Sequence, residues 1–217
     1  MLGPPQSVDG LRRLLSERFP PALSRSAAVL RTETPALDEP GGGGLPLGAI
    51  TEVVSLQPSS GGQLLILKLL EITRLQRSRV ALIDGIDAFD PRSHQPAGLE
   101  HLVWVRCHTL DETMHAADIL AHDANLALVM LDLRGFTVPE LRRVPASTWY
   151  RLQRAIERSD TALLVLTTQP LVSSAALRLN LCGVFTLADL DALQPDLVHA
   201  LPAEVQRNRL LLERRSA

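Results

Sequence analysis

An α/β fold, a mostly parallel sheet covered by helices, is what this chain of 217 residues predicts, on three observations. Short runs of Val, Ile and Leu alternate with stretches whose apolar residues recur at helical spacing, the pattern of successive βαβ units. Apolar types make up 46% of the residues and charged types 21%, enough for a sizeable core and too apolar for a disordered chain. One strand-like run passes through a loop of small residues straight into a helix, the layout of a phosphate-binding loop. At roughly 150 residues per domain, one domain is expected.

The chain opens with a helical arm over Ser7–Phe19. Ser7 stands at the N-cap, Val8, Leu11, Leu14, Leu15 and Phe19 recur at helical spacing, and Pro20 and Pro21 stop the helix. The pattern is mixed up to Pro40, and Gly41–Gly44 reads as a hinge. Residues 1–44 are therefore expected to be an arm joined loosely to a core of residues 45–217. Strands are predicted at Ile50–Val54, Val80–Ile83, Leu102–Val105, Leu126–Leu131 and Thr161–Leu166, with two further ones near Val184–Leu187 and Arg209–Leu212. Helices are predicted over Gln63–Gln76, Leu110–His122 and Ser147–Arg158. The second has a capping box, Thr109 with Glu112, and a core stripe of Leu110, Met114, Ala117 and Ala121. The third places Trp149, Leu152 and Ile156 on one face.

Composition excludes several function classes. With 22 basic and 24 acidic residues the formal charge is -2, so no global pull toward nucleic acid is expected. Aromatics are 3%, too few for the stacking platforms of single-strand binders. No apolar run approaches the ~18–20 residues of a membrane span, and the amino terminus lacks the basic-then-apolar pattern of a secretory signal. Cys107 and Cys182 make neither a disulfide framework nor a metal signature, so a cytoplasmic protein without a metal is expected. His94, His101, His108, His115 and His122 recur every seven residues, but across a loop, a strand edge and a helix, which is no metal-ligand spacing. Lys68 is the only lysine, so any chemistry that needs a lysine has one candidate.

The segment Ser55–Leu70 follows the first strand. In a phosphate loop, backbone N–H groups wrap the phosphates, a lysine neutralises the terminal one, and a Ser or Thr holds Mg²⁺. Anchored on Ser59, Ser60 and Gly61, the lysine position falls on Gly62, the hydroxyl position on Gln63 and the leading glycine on Leu56. A shift of one residue repairs nothing. Lys68 lies a turn and a half into the helix, too far to reach back. No cation is therefore expected where a terminal phosphate would sit.

Four blocks in order resemble the RecA family. GGGGLPLGAITEVVSLQPSSGG (41–62) is similar to the segment leading into its ATP loop, and RVALIDGIDAFDP (79–91) to the second strand and the turn carrying the catalytic glutamate. LALVMLD (126–132) is similar to the Walker B strand, and TALLVLTTQ (161–169) to the strand that ends in a nucleotide-sensing glutamine. The resemblance spans residues 45–190 and implies a RecA-like core. Carried over, it keeps Asp132 and Gln169, while Ile86 takes the catalytic glutamate position and Asp87 comes one residue late. The plainer roles, Asp132 capping a strand end in a polar network and Gln169 structural, are preferred. Phosphoryl transfer is catalysed by positioning and electrostatics, so losing lysine, Mg²⁺ ligand and water-activating carboxylate together removes most of the acceleration.

RecA's two DNA loops correspond to Leu133–Ala146 and to Pro170–Ser174, the latter too short to line a filament axis. Arg142 and Arg143 with Arg151 and Arg154 offer a modest basic patch, read first as a solvated helix face. Gln194–Val198 resembles a sliding-clamp peptide and is read as a loop. Phe19–Ala22 fits the loose Phe-x-x-Ala hook of archaeal and eukaryotic recombinases. The tail from Val205 is expected to close a sheet edge or to bind a partner. A shortened RecA-like chain with a ruined ATP loop most resembles the ImuA family of bacterial mutagenesis cassettes. That resemblance implies a non-catalytic adaptor without a cofactor in damage-induced translesion synthesis and DNA repair. Its implied partners are ImuB with the error-prone polymerase assembly and, as a second candidate, RecA, with weak or no direct DNA contact. The rival expectations are a recombinase-type ATPase and a DNA-binding recombination mediator.

Overall fold

The computed structural model describes residues 28–93, 98–123, 125–186, 189 and 191–210. The predicted arm Ser7–Phe19, the Phe19–Ala22 motif, His94 and the last seven residues lie outside them.

The described chain begins with a small antiparallel pair, β1 (Val29–Leu30) and β2 (Leu45–Pro46), around helix α1 (Pro35–Gly41). Here the expected hinge is corrected. Leu30, Leu37 and Leu45 are buried in the main core, and Asn208 Nδ2 donates to the Pro40 carbonyl. A Cβ at Gly44 would stand 2.2 Å from the Leu30 carbonyl oxygen. The glycine run thus allows two backbones to approach closely, and residues 28–44 pack onto the core.

The central sheet has seven strands in the order β5-β4-β6-β7-β3-β8-β9. They are β3 (Ile50–Ser55), β4 (Val80–Asp84), β5 (Leu102–Arg106), β6 (Leu128–Asp132), β7 (Ala162–Thr167), β8 (Leu177–Leu181) and β9 (Ala203–Asn208). Every neighbouring pair is parallel except β8 with β9. This is the mostly parallel sheet, flanked by helices, that a RecA-like core requires. Both faces are covered, which is why the inner strands read as unbroken apolar runs. Val80 and Leu82 face α2 (Gly62–Leu75), which contributes Leu65, Ile66, Leu69 and Leu70. Ala81 and Ile83 face the opposite core, built with Ala117 and Ala121 of α3 (Leu110–Ala121) and Trp149, Leu152 and Ile156 of α5 (Ala146–Ile156). The Thr109–Glu112 capping box forms in both directions. A second box, Thr137 with Glu140, starts the short α4 (Val138–Leu141).

Three further expectations are corrected. Among the described residues no strand forms over 184–186, while the sheet contains β8, where Leu177, Leu179 and Leu181 alternate with Arg178 and Asn180. Arg178 is buried because Glu52 in the middle of β3 faces it: Arg178 Nε donates to Glu52 Oε2, while Thr167 Oγ1, Leu171 N and Val172 N donate to Oε1. A buried charge persists only with such partners. The tail from Val205 closes the sheet edge as expected, within β9, but that strand lies earlier in the chain than Arg209–Leu212. The loop expected at Gln194–Val198 is instead helical: it opens α6 (Gln194–His199), with Val198 buried.

Candidate functional site

Parallel strands deliver their C-terminal ends to one edge, and β3, β4, β6 and β7 end there at Ser55, Asp84, Asp132 and Thr167. A cavity of about 620 Å³ opens above this edge, between the Leu56–Gln63 loop and the segment around Phe185. Ser59, Ser60, Gly61, Gly62, Gln63 and Asp132 all line it. The structure therefore brings the predicted loop and the Asp132 remnant together. Gln169 is not among the lining residues; Thr168 takes that place.

The expectation of no cation at the lysine position is corrected by Arg134. Its guanidinium lies across Gly62: a Cβ there would stand 2.1 Å from Arg134 Nη1. The chain turns directly after β6, with the Arg134 N–H donating to Asp132 Oδ1 (3.1 Å), so the side chain folds back over the strand end. Arg134 Nε then donates to Asp132 Oδ1 (2.9 Å), Nη2 to Asp132 Oδ2 (2.6 Å) and, more weakly, to Gln63 Oε1 (3.4 Å). Asp132 is thus engaged on both oxygens, the strand-end polar network that the sequence favoured. Nothing in the phosphate-loop pattern pointed to Arg134; the signal available was a basic residue two positions after the Walker-type aspartate.

The loop itself is seated on protein. Gly61 has φ +95°, and a Cβ on it would stand 2.3 Å from Leu201 Cδ1 and 2.9 Å from Phe185 Cε2. The Phe185 N–H donates to the Ser59 carbonyl (3.0 Å). The segment that failed to become a strand lies on the loop. Gly61 provides no side-chain cap to α2, so the first-turn N–H groups of Gly62, Gln63 and Leu64 have no intrahelical acceptor. The hydroxyls of Ser55 and Ser60 are buried at 7% and 3% exposure and make no hydrogen bond among the described residues.

The other candidates fall elsewhere. Asp87 is turned away from the cavity to Arg106, whose Nε donates to Oδ1 (2.6 Å); that hydrogen bond holds the Asp87 carboxyl below its usual range. Ile86 faces the cavity in its stead. Lys68 Nζ pairs with Glu71 (3.2 Å) and Glu33 (3.5 Å) and does not line the cavity. Arg143 and Arg151 share a separate groove with Asp111, Asp118 and Glu140, where Arg151 Nε donates to Asp118 (2.9 Å). Arg142 and Arg154 do not line that groove. Pro170–Ser174 folds inward, with Val172 and Ser174 buried. Among the described residues no group of three or more His, Cys, Asp and Glu could hold a metal, and no helix is long and apolar enough to cross a membrane.

Compared with known proteins, the chain matches no family model and no curated protein.

Proposed function

We propose that this chain is a non-catalytic RecA-like adaptor, of the kind the ImuA family supplies to damage-induced translesion synthesis, acting through protein contacts. The observation that carries this reading is the Arg134–Asp132 ion pair lying across Gly62. A magnesium–phosphate site needs a carboxylate free to orient metal-bound water and a cation free to meet phosphate. Here each occupies the other. Ile86 stands where a water-activating carboxylate belongs, and Gln63 offers an amide where Mg²⁺ would need a hydroxyl.

The partner assignment follows the resemblance: ImuB and the polymerase assembly first, RecA second. The near-neutral charge and the balanced groove around Arg143 and Arg151 favour protein over DNA as the partner. Two measurements test the reading. In cells deleted for the gene, wild-type protein restores damage-induced mutagenesis, and the Asp132→Asn/Arg134→Gln double variant restores it equally. Purified protein co-elutes with ImuB in the absence of nucleotide. Loss of mutagenesis in a folded double variant, together with ATP-dependent co-elution, would contradict the reading.

A further inference from the structure

We infer that the cleft over the degenerate loop is a docking pocket for one basic side chain, lysine or arginine, that a partner protein presents between large apolar neighbours. The inference rests on the adaptor reading and says where a partner is held.

Charge sets the sign of the guest. Three carboxylates, Asp84, Asp132 and Asp189, line the cleft against the single arginine Arg134. Asp132 and Arg134 neutralise each other, which leaves Asp84 and Asp189. The hydrogen-bond donors to these two are neutral. The Ala88 and Phe89 N–H groups (2.9 and 2.7 Å) and Trp104 Nε1 (3.3 Å) donate to Asp84. The Thr186 N–H and hydroxyl donate to Asp189 Oδ2 (2.6 and 2.9 Å). Neutral donors fix a carboxylate in place without cancelling its charge, and those of Thr186 hold the Asp189 carboxyl below its usual range. Arg106, next to Trp104, is spent on Asp87 (2.6 Å). The start of α2 adds about half a positive charge, which leaves the lining negative. A cation is therefore attracted into the cleft and an anion repelled.

The floor adds a second, independent observation. The Ser55 and Ser60 hydroxyls line the cleft, are more than nine-tenths buried, and have no partner among the described residues. Asp189 Oδ1 likewise accepts no hydrogen bond among them, since both Thr186 donors go to Oδ2. These oxygens are unfilled acceptors, and an ammonium or guanidinium group brings several donors to them at once.

The walls select a side chain carried on a protein over a free amine. Leu56 and Ile86 line the cleft and are exposed by 58% and 44%, and Phe185 and Leu197 line it as well. A cavity of about 620 Å³ with apolar walls and a few placed polar groups is of ligand-binding size and character. A free amine would leave Leu56 and Ile86 in water, whereas the apolar neighbours of a basic residue in a peptide cover them.

The test is selection of short random peptides displayed on phage against the immobilised full chain, with depletion on the Ile86→Lys variant. The expected result is a consensus of Lys or Arg flanked by large apolar residues. Its synthetic peptide should bind wild type and lose about ten-fold or more, roughly one charged hydrogen bond's worth, to Asp189→Asn. The asparagine keeps an oxygen for the Thr186 donors, so the local turn is preserved. Replacing the peptide's own basic residue by methionine should cost a similar factor on wild type, a readout that no folding defect can move. Failure to recover any peptide that prefers wild type over Ile86→Lys, a consensus lacking a basic residue, or equal binding by Asp189→Asn overturns the docking pocket and leaves the adaptor reading standing. Competition of the peptide by millimolar MgATP, accompanied by turnover, overturns both.

Discussion

Replacing Gly61 by alanine separates a loop built to hold phosphate from one built to seat protein. Two costs follow from the geometry. At φ +95° an alanine is held in the left-handed region, at about 1–2 kcal/mol. Its Cβ would also lie 2.3 Å from Leu201 Cδ1 and 2.9 Å from Phe185 Cε2, against an ordinary contact of 3.4–4 Å. Overpacking of this kind adds about 1–3 kcal/mol, for a sum near 3 kcal/mol. At roughly 2–4 °C per kcal/mol for a chain of this size, the melting temperature should fall by about 6–12 °C. Gly62→Ala is the internal control. Its new methyl meets the tip of Arg134, a flexible side chain, so the cost should stay within about 1 kcal/mol. The assay is thermal and urea unfolding of the three proteins without nucleotide. Equal, small losses for both variants would refute the seating of Phe185 and Leu201 on the loop.

Other outcomes follow from the same contacts. Glu52→Ala strands the buried Arg178 guanidinium and two backbone N–H groups, at about 3–5 kcal/mol, and Glu52→Gln should lose less in urea unfolding; a loss under about 1 kcal/mol for alanine would contradict the buried pair. Hydrogen bonds from His108 and Thr109 hold the Glu112 carboxyl below the ordinary glutamate value of 4.5, and those from Thr137 do so for Glu140. A depressed carboxylate pKa contributes stability that is complete above the unfolded value and lost as pH falls through the folded one. Melting temperature should therefore drop as pH is lowered below 4.5, less steeply in Thr109→Val/Thr137→Val; an unchanged slope would count against the two boxes. Reinstalling the loop residues in a Gly62→Lys/Gln63→Thr variant should yield no phosphate release from ATP, because Asp132 stays engaged by Arg134 and Ile86 supplies no base. Turnover in that variant would mean that the loop alone had been at fault.

What was legible in the sequence follows from how strands and loops are read. Four of the strand predictions, for β3, β4, β6 and β7, overlap inner strands because a parallel strand covered on both faces is an apolar run, while the fifth, β5, is the edge strand and was legible from its Leu and Val residues alone. β8 escaped because Arg178 and Asn180 interrupt its leucines, and only the distant Glu52 makes a buried arginine there tolerable. Val184–Leu187 has strand-like residues, yet its Phe185 is spent on Gly61, a tertiary contact without local signature. The glycine run looked like a hinge because composition reports freedom, whereas the Leu30 backbone beside Gly44 turns that freedom into close packing. In the site, the loop was readable from spacing, whereas Asp132 and the displaced Asp87 came from the resemblance. Arg134 was not, since its role depends on a fold-back over Gly62 that spacing does not encode.

The most direct test is calorimetric titration of MgATP into the full chain, repeated with Asp132→Asn. With Arg134 and Asp132 joined across Gly62, no saturable heat should appear up to millimolar nucleotide in the wild-type protein. Stoichiometric binding by wild type that the asparagine variant abolishes would show the aspartate serving magnesium, and the cleft would then be a nucleotide site.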